Sequence, residues 1–249
     1  MPFNKLGSQF TITSKKSFSP NNPLRESTVR DAAKFAFDMT YGKSGEHRST
    51  RSGGTHSRRN SEIFADTFQG KLSEFAAYNL ICNYFPNIGV PDLETYSLGK
   101  WDSCDFFDGV NRISIKSTKS FGNLLLLETK DWSKDALYIP NIETGNANYD
   151  FFVLVRINPF CSEILRGSSL INQEMPTLNQ FEEIILKHTW NYDSPGFITH
   201  SDLKQIINNG FVIPQGAYLN GRMRMDAENY YVQAGDFRGF ADFENYVRN

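Results

Sequence analysis

Asp105, Arg112, Ser114 and Lys116 crowd into one window, Trp101-Asp-Ser-Cys-Asp105-Phe-Phe-Asp-Gly-Val-Asn-Arg-Ile-Ser-Ile-Lys116-Ser-Thr. If residues 111–116 form a strand, period-2 alternation puts Arg112, Ser114 and Lys116 on one face. Ile113 and Ile115 then take the other, against a core. Asp108-Gly109 is a strong hairpin signal that folds the preceding stretch back onto that strand. A turn centred there sets Asp105 opposite Arg112; a turn centred one residue later sets it opposite Ser114. Only a one-residue slip in pairing would take the carboxylate off the lysine's face. A carboxylate and an ammonium on one pleated face suit a hard divalent cation and an activated water. Magnesium takes oxygen ligands, keeps several waters, polarises a phosphoryl group and acidifies its water. The plainer alternative is an ordinary cross-strand ion pair of small energy.

The elements that must hold these residues are readable in outline. Residues 27–41 read as a helix with Ser27 as N-cap. A second helix starts near Glu62 or Gln69 and is stopped by Pro86, with Leu72, Phe75, Ala76, Asn79 and Cys82 building an inward face. β-like stretches fall near residues 96–106 and 111–116, and further apolar runs at 124–128 and 137–139. Asp150-Phe-Phe-Val-Leu-Val-Arg-Ile157 has the composition of a buried strand. Helical patterns follow at 179–188 and 201–209, the second ended by Gly210.

This arrangement resembles the PD-(D/E)XK nucleases, in which an acid ends one strand and an acid-x-lysine sits on the next. Asp105 matches the first acid and Lys116-Ser-Thr the lysine with its polar trailer. The resemblance implies that Asp105 binds the metal and that Lys116 orients or deprotonates the attacking water. Glu74, in Gly70-Lys-Leu-Ser-Glu74-Phe, resembles the helix-borne glutamate that many members place beside the metal. The family's second acid falls at Ser114, a neutral hydroxyl. Some restriction enzymes similar to this pattern carry Ser-x-Lys and recruit a glutamate further on, and Glu128 lies twelve positions after Lys116. Glu74 and Glu128 are therefore competing candidates for the missing carboxylate. Asp102 is the alternative to Asp105 if the register differs.

The resemblance covers residues 62–157, as a catalytic core, and implies an α/β fold: a restriction-endonuclease-like αβββαβ core whose mixed central sheet of about five strands is flanked by helices. The expected organisation is one nuclease domain over 1–249, with a DNA-contacting segment at 1–61 and a recognition or dimerisation segment at 158–249. The implied function is that of a type II restriction endonuclease: magnesium-dependent, sequence-specific hydrolysis of double-stranded DNA that leaves 5′-phosphates. A nonspecific or repair nuclease of the same core, or a degenerate DNA-binding protein, would fit the same residues. A palindromic target would call for a homodimer.

Composition narrows the classes. The three cysteines, Cys82, Cys104 and Cys161, are far apart and lack a CxxC pair, which argues against a disulfide framework or a structural zinc site. No apolar run of transmembrane length and no leader is visible, so no membrane partner and a cytoplasmic, prokaryotic location are expected. Net charge is −2, yet Lys43, Arg48, Arg51, Arg58 and Arg59 face only Glu46 between Gly42 and Ser61. That Ser-, Gly- and Arg-rich stretch cannot bury enough apolar surface to fold alone, and reads as a mobile linker or as a loop that orders on DNA. Arg51, His56, Arg58 and Arg59 are its candidate DNA contacts. Arg222 and Arg224 read as a solvated turn or a further DNA contact; His188 and His200 read as surface or satisfied polar residues.

Overall fold

The computed structural model describes residues 2–20, 22–42, 59–94 and 104–247. The chain opens with three short strands, β1 (Asn4–Leu6), β2 (Gln9–Thr11) and β3 (Asn22–Pro23), followed by helices α1 (Glu26–Tyr41) and α2 (Asn60–Ile81). β4 (Phe106–Phe107), β5 (Arg112–Lys119), β6 (Leu124–Glu128) and β7 (Phe151–Asn158) come next, then α3 (Cys161–Arg166) and α4 (Leu178–Ile185). The last part holds β8 (Asn191–Thr199), α5 (His200–Asn208), β9 (Val212–Ile213), β10 (Tyr218–Leu219), β11 (Met223–Arg224) and β12 (Asn229–Gln233).

The chain is mixed α/β, with a mixed five-stranded sheet in the order β3-β8-β7-β5-β4. β5 runs parallel to β7 and antiparallel to β4, while β8 runs antiparallel to β7 and β3. β7 lies at the centre because Phe151 to Ile157 are buried on both faces, each apolar side chain there contributing about 1.5–3 kcal/mol. One face packs against α1, α2, α3 and α4 through Ile113, Ile115, Val153 and Val155. The other carries Phe152 and Leu154, and is covered by α5 together with a second sheet in the order β6-β12-β9. That second sheet replaces the layer of helices expected on this side. Leu125 and Leu127 supply its inner surface, which diverts the apolar run 124–128 away from the central sheet.

Several local expectations are corrected. Helix α1 starts at Glu26 after Arg25, which makes no side-chain cap, so Ser27 is not the N-cap. Its start is set by tertiary anchoring: β3 pairs with β8, and the Leu24 N–H donates to the Trp190 carbonyl at 2.7 Å. Helix α2 ends at Ile81, and Phe85 sits in the turn beyond it, fully buried among Phe151 and Phe243. Asn79 is exposed. The helix is instead buried on more than one side, with Phe64, Phe68, Leu72, Ala76 and Ala77 enclosed between α1 and the sheet.

The first and last described segments are woven into the fold. β2 pairs in parallel with β10, giving a four-stranded sheet in the order β1-β2-β10-β11. Gln233 Oε1 accepts from the Thr13 and Ser14 amides at 2.7 and 3.1 Å. The C-terminal segment is held to α5 by Arg238, whose guanidinium donates to both oxygens of Asp202 at 2.7 and 2.6 Å.

Burial alone would push the Asp202 carboxyl up, but hydrogen bonds from Arg238 and Thr199 outweigh it and hold it below the usual range. Its folded-state pKa is therefore depressed. The stabilisation is present above the ordinary aspartate value of about 3.9 and is lost as pH falls through the lower folded value. Urea midpoints should fall between pH 5 and pH 3, and Asp202→Asn should flatten that fall while lowering stability at pH 7. An unchanged acid slope in Asp202→Asn would contradict this assignment.

Candidate active site

Four consecutive residues of the hairpin, 108–111, set the site's register. Asp108 Oδ1 accepts from the Val110 and Asn111 amides at 2.8 and 2.6 Å, and Gly109 adopts φ +98°. Glycine takes this positive φ without steric cost. The connection is long enough that Phe106 pairs with Ile113 and Phe107 with Arg112. Asp105, one residue before, then falls opposite Ser114, the second of the two registers open from sequence.

β4 begins only at Phe106, so the Ile115 N–H has no strand partner on that side. The Asp105 carboxylate takes its place: Oδ2 accepts from the Ile115 amide at 2.6 Å and from Ser114 Oγ at 3.3 Å. Satisfying that edge amide fixes the exposed carboxylate against the middle of β5. Ser114 is 3% exposed and aligned with Phe152, while Lys116 is half-buried and aligned with Leu154. Ser114 and Lys116 thus lie on the face opposite Ile113 and Ile115. Among the described residues, the Lys116 ammonium makes no hydrogen bond and no ion pair. It is a cation beside an acid-bearing edge with its donors free.

The surroundings include residues that sequence reasoning passed over. Tyr149 is buried next to Asp105; burial and the carboxylate's charge together push its hydroxyl well above the usual tyrosine range. Asp150 accepts from the Arg112 amide at 2.9 Å through Oδ2. Arg112 lies over the Phe107 ring at 4.7 Å, with Nη1 3.8 Å from Cys104 Sγ. Only the parallel register of β5 and β7 brings 149 and 150 here, and no local pattern announces it.

The two candidate glutamates are placed apart from this edge. Glu74 lies on α2, which packs on the Ile113 and Ile115 face: the neighbouring Ser73 Oγ is 2.7 Å from Ser117 Oγ. Its carboxylate meets Lys71 Nζ at 2.6 Å, and that ammonium also donates to the Asp92 carbonyl at 2.7 Å. Glu128 ends β6 in alternation with Leu124 and Leu126, whereas Leu125 and Leu127 face the central sheet. Its Oε2 is buried, 3.0 Å from Lys130 Nζ in ion-pair contact without hydrogen-bond geometry. Among the described residues, no three His, Cys, Asp or Glu side chains gather as a metal-binding group. The donors at this edge are the Asp105 carboxylate and the Ser114 hydroxyl, whereas Asp150 is held at the Arg112 amide, three residues along β5 from the Ile115 amide that Asp105 meets. That set fits magnesium as it is often held, by one or two carboxylates with waters and substrate phosphate completing the shell.

Arg59 precedes α2, donating from its amide to Glu62 Oε2 at 3.0 Å and from Nη1 to Asn172 Oδ1 at 3.0 Å. Arg51, His56, Arg58 and Asp102 lie outside the described residues. No family model, curated protein or solved structure matches the chain. No helix among the described residues is long and apolar enough to cross a membrane.

Proposed function

We propose that the chain is a magnesium-dependent endodeoxyribonuclease of the PD-(D/E)XK type, acting as a type II restriction endonuclease on double-stranded DNA. The observation that carries this reading is the seating of the Asp105 carboxylate on the Ser114-Ile115-Lys116 strand, with Lys116 unpaired on the same face. In a purely structural ion pair the lysine would be spent on the acid.

Asp105 would hold the ion, with waters and the substrate phosphate completing its shell in place of the second carboxylate sought at Glu74 or Glu128. The magnesium would supply charge neutralisation at the phosphate and a more acidic water. Lys116 would orient that water through its ammonium, and the water's proton passes to solvent. Ser114 hydrogen-bonds the Asp105 carboxylate and holds it at the strand. Water oxygen bonds to phosphorus, the phosphorus–O3′ bond breaks, and the departing 3′ oxygen takes up a proton. The products carry 5′-phosphate and 3′-hydroxyl ends. A homodimer would present two such sites to a palindromic target.

Ser114 in place of an acid, and the absence of a three-acid group among the described residues, favour one other reading: a nuclease-like core that binds DNA without cutting. A supercoiled plasmid incubated with the protein separates the two. Linear and fragmented product in magnesium, abolished by EDTA, is expected. Intact plasmid retarded in a gel, with no nicking in magnesium or manganese, would favour the binding protein. A smear in place of discrete bands would favour a nonspecific nuclease.

A further inference from the structure

We propose that the outward face of the β1-β2-β10-β11 sheet is a second contact surface for duplex DNA, with Arg222 and Arg224 meeting backbone phosphates. This rests on the nuclease reading above and names a further part of its substrate interface. The pairing register aligns Leu6, Gln9, Tyr218 and Arg224 in one row across the four strands. The residues of the next row, Phe10 and Leu219, are buried in a core of their own with Ile213 and Tyr231. The first row therefore faces solvent, with Leu6 82% and Tyr218 40% exposed. Strand spacing makes the row about 14 Å wide.

The turn that presents the arginines is fastened down. Asn220 and Gly221 adopt φ of 50° and 68°. Asn220 Oδ1 accepts from the Ile12 amide at 3.1 Å, and its own N–H donates to the Phe10 carbonyl at 2.8 Å. Holding the turn in advance lowers the ordering cost of a contact made there.

Charge identifies the occupant. The exposed Arg222 and Arg224 form no ion pair among the described residues, not even with Asp226 two positions on. Unpaired guanidinium groups beside an amide and a phenol match phosphate oxygens and base edges.

The test is fluorescence anisotropy on a labelled 30-base-pair duplex in calcium buffer over a range of salt, comparing the intact protein with Arg222→Gln/Arg224→Gln. Lys204→Gln, which removes a cation already paired with Asp135, is the control for lost charge. The double variant is expected to bind about tenfold more weakly and to lose about 2 units of salt slope, as for two phosphate contacts. Melting temperature and gel-filtration volume should match the intact protein. Unchanged affinity and slope, with magnesium cleavage intact, would overturn this surface and leave the nuclease reading standing. A loss equalled by Lys204→Gln, or a shift from dimer to monomer with affinity retained, would also overturn it. An intact protein that neither binds nor cuts the duplex would overturn both.

Discussion

Lys116→Ala should lower the rate of DNA cleavage about 10²- to 10³-fold, the range that one preorganised hydrogen-bond donor contributes. Its ammonium makes no hydrogen bond or ion pair among the described residues, so removing it breaks no recorded interaction. Thermal stability should therefore move by less than about 1 kcal/mol, and DNA affinity in calcium should stay close to that of the intact protein. Lys116→Arg should not restore the rate, because a planar guanidinium fork does not replace the compact ammonium that points its donors at one water. The assay is single-turnover cleavage at saturating protein, with melting curves on the same samples. A fully active Lys116→Ala would remove the lysine from the mechanism. An inactive but unfolded one would place it in the fold.

The largest effect on stability is expected at Arg156. This guanidinium, 1% exposed on the central strand β7, donates to both oxygens of Asp193 on β8 at 2.7 and 2.6 Å. It also donates to the carbonyls of Lys16 and Ser17 at 2.7 and 2.9 Å, and Asp193 Oδ2 accepts from the Ser19 amide at 2.8 Å. One buried ion pair thereby ties the N-terminal segment to the centre of the sheet. Arg156→Ala leaves the Asp193 charge uncompensated and two carbonyls without their donor. The cost should be about 3–5 kcal/mol, or roughly 10 °C in melting temperature for a domain of this size. Arg156→Met/Asp193→Leu should recover part of the loss by removing both charges, while the two carbonyls still lack donors. A shift under about 2 °C in Arg156→Ala would show that the pair adds little beyond its desolvation cost.

Strong local patterns made part of this molecule legible in advance. The apolar run at β7, the alternation of β5, the Asp108-Gly109 turn and the helices near 179–188 and 201–209 each express a period or a turn preference visible over a few residues. The same alternation separated Ser114 and Lys116 from Ile113 and Ile115. What could not be read is set by long-range pairing. β9, β10 and β11 are two residues each, too short to carry a period, and β10 meets β2 across nearly the whole chain. The run at 124–128 is equally apolar whether it joins the central sheet or, as it does, β12. The register of Asp105 turned on whether Asp108 or its successor centres the turn, which the Asp108 side-chain bonds decide. The position of Glu74 depends on how α2 lies on the sheet, a matter of packing that helix periodicity cannot supply.

The most direct measurement is cleavage of unmethylated phage DNA in magnesium by the intact protein and by Asp105→Asn. Asparagine keeps an oxygen to accept the Ile115 amide but loses the charge, so it separates the strand-edge role of this side chain from a metal-binding one. The account predicts discrete fragments with 5′-phosphate ends from the intact protein, and none from an Asp105→Asn variant that melts at the same temperature. No cleavage by the intact protein across magnesium and manganese and a broad set of DNAs, or equal cleavage by Asp105→Asn, would contradict it.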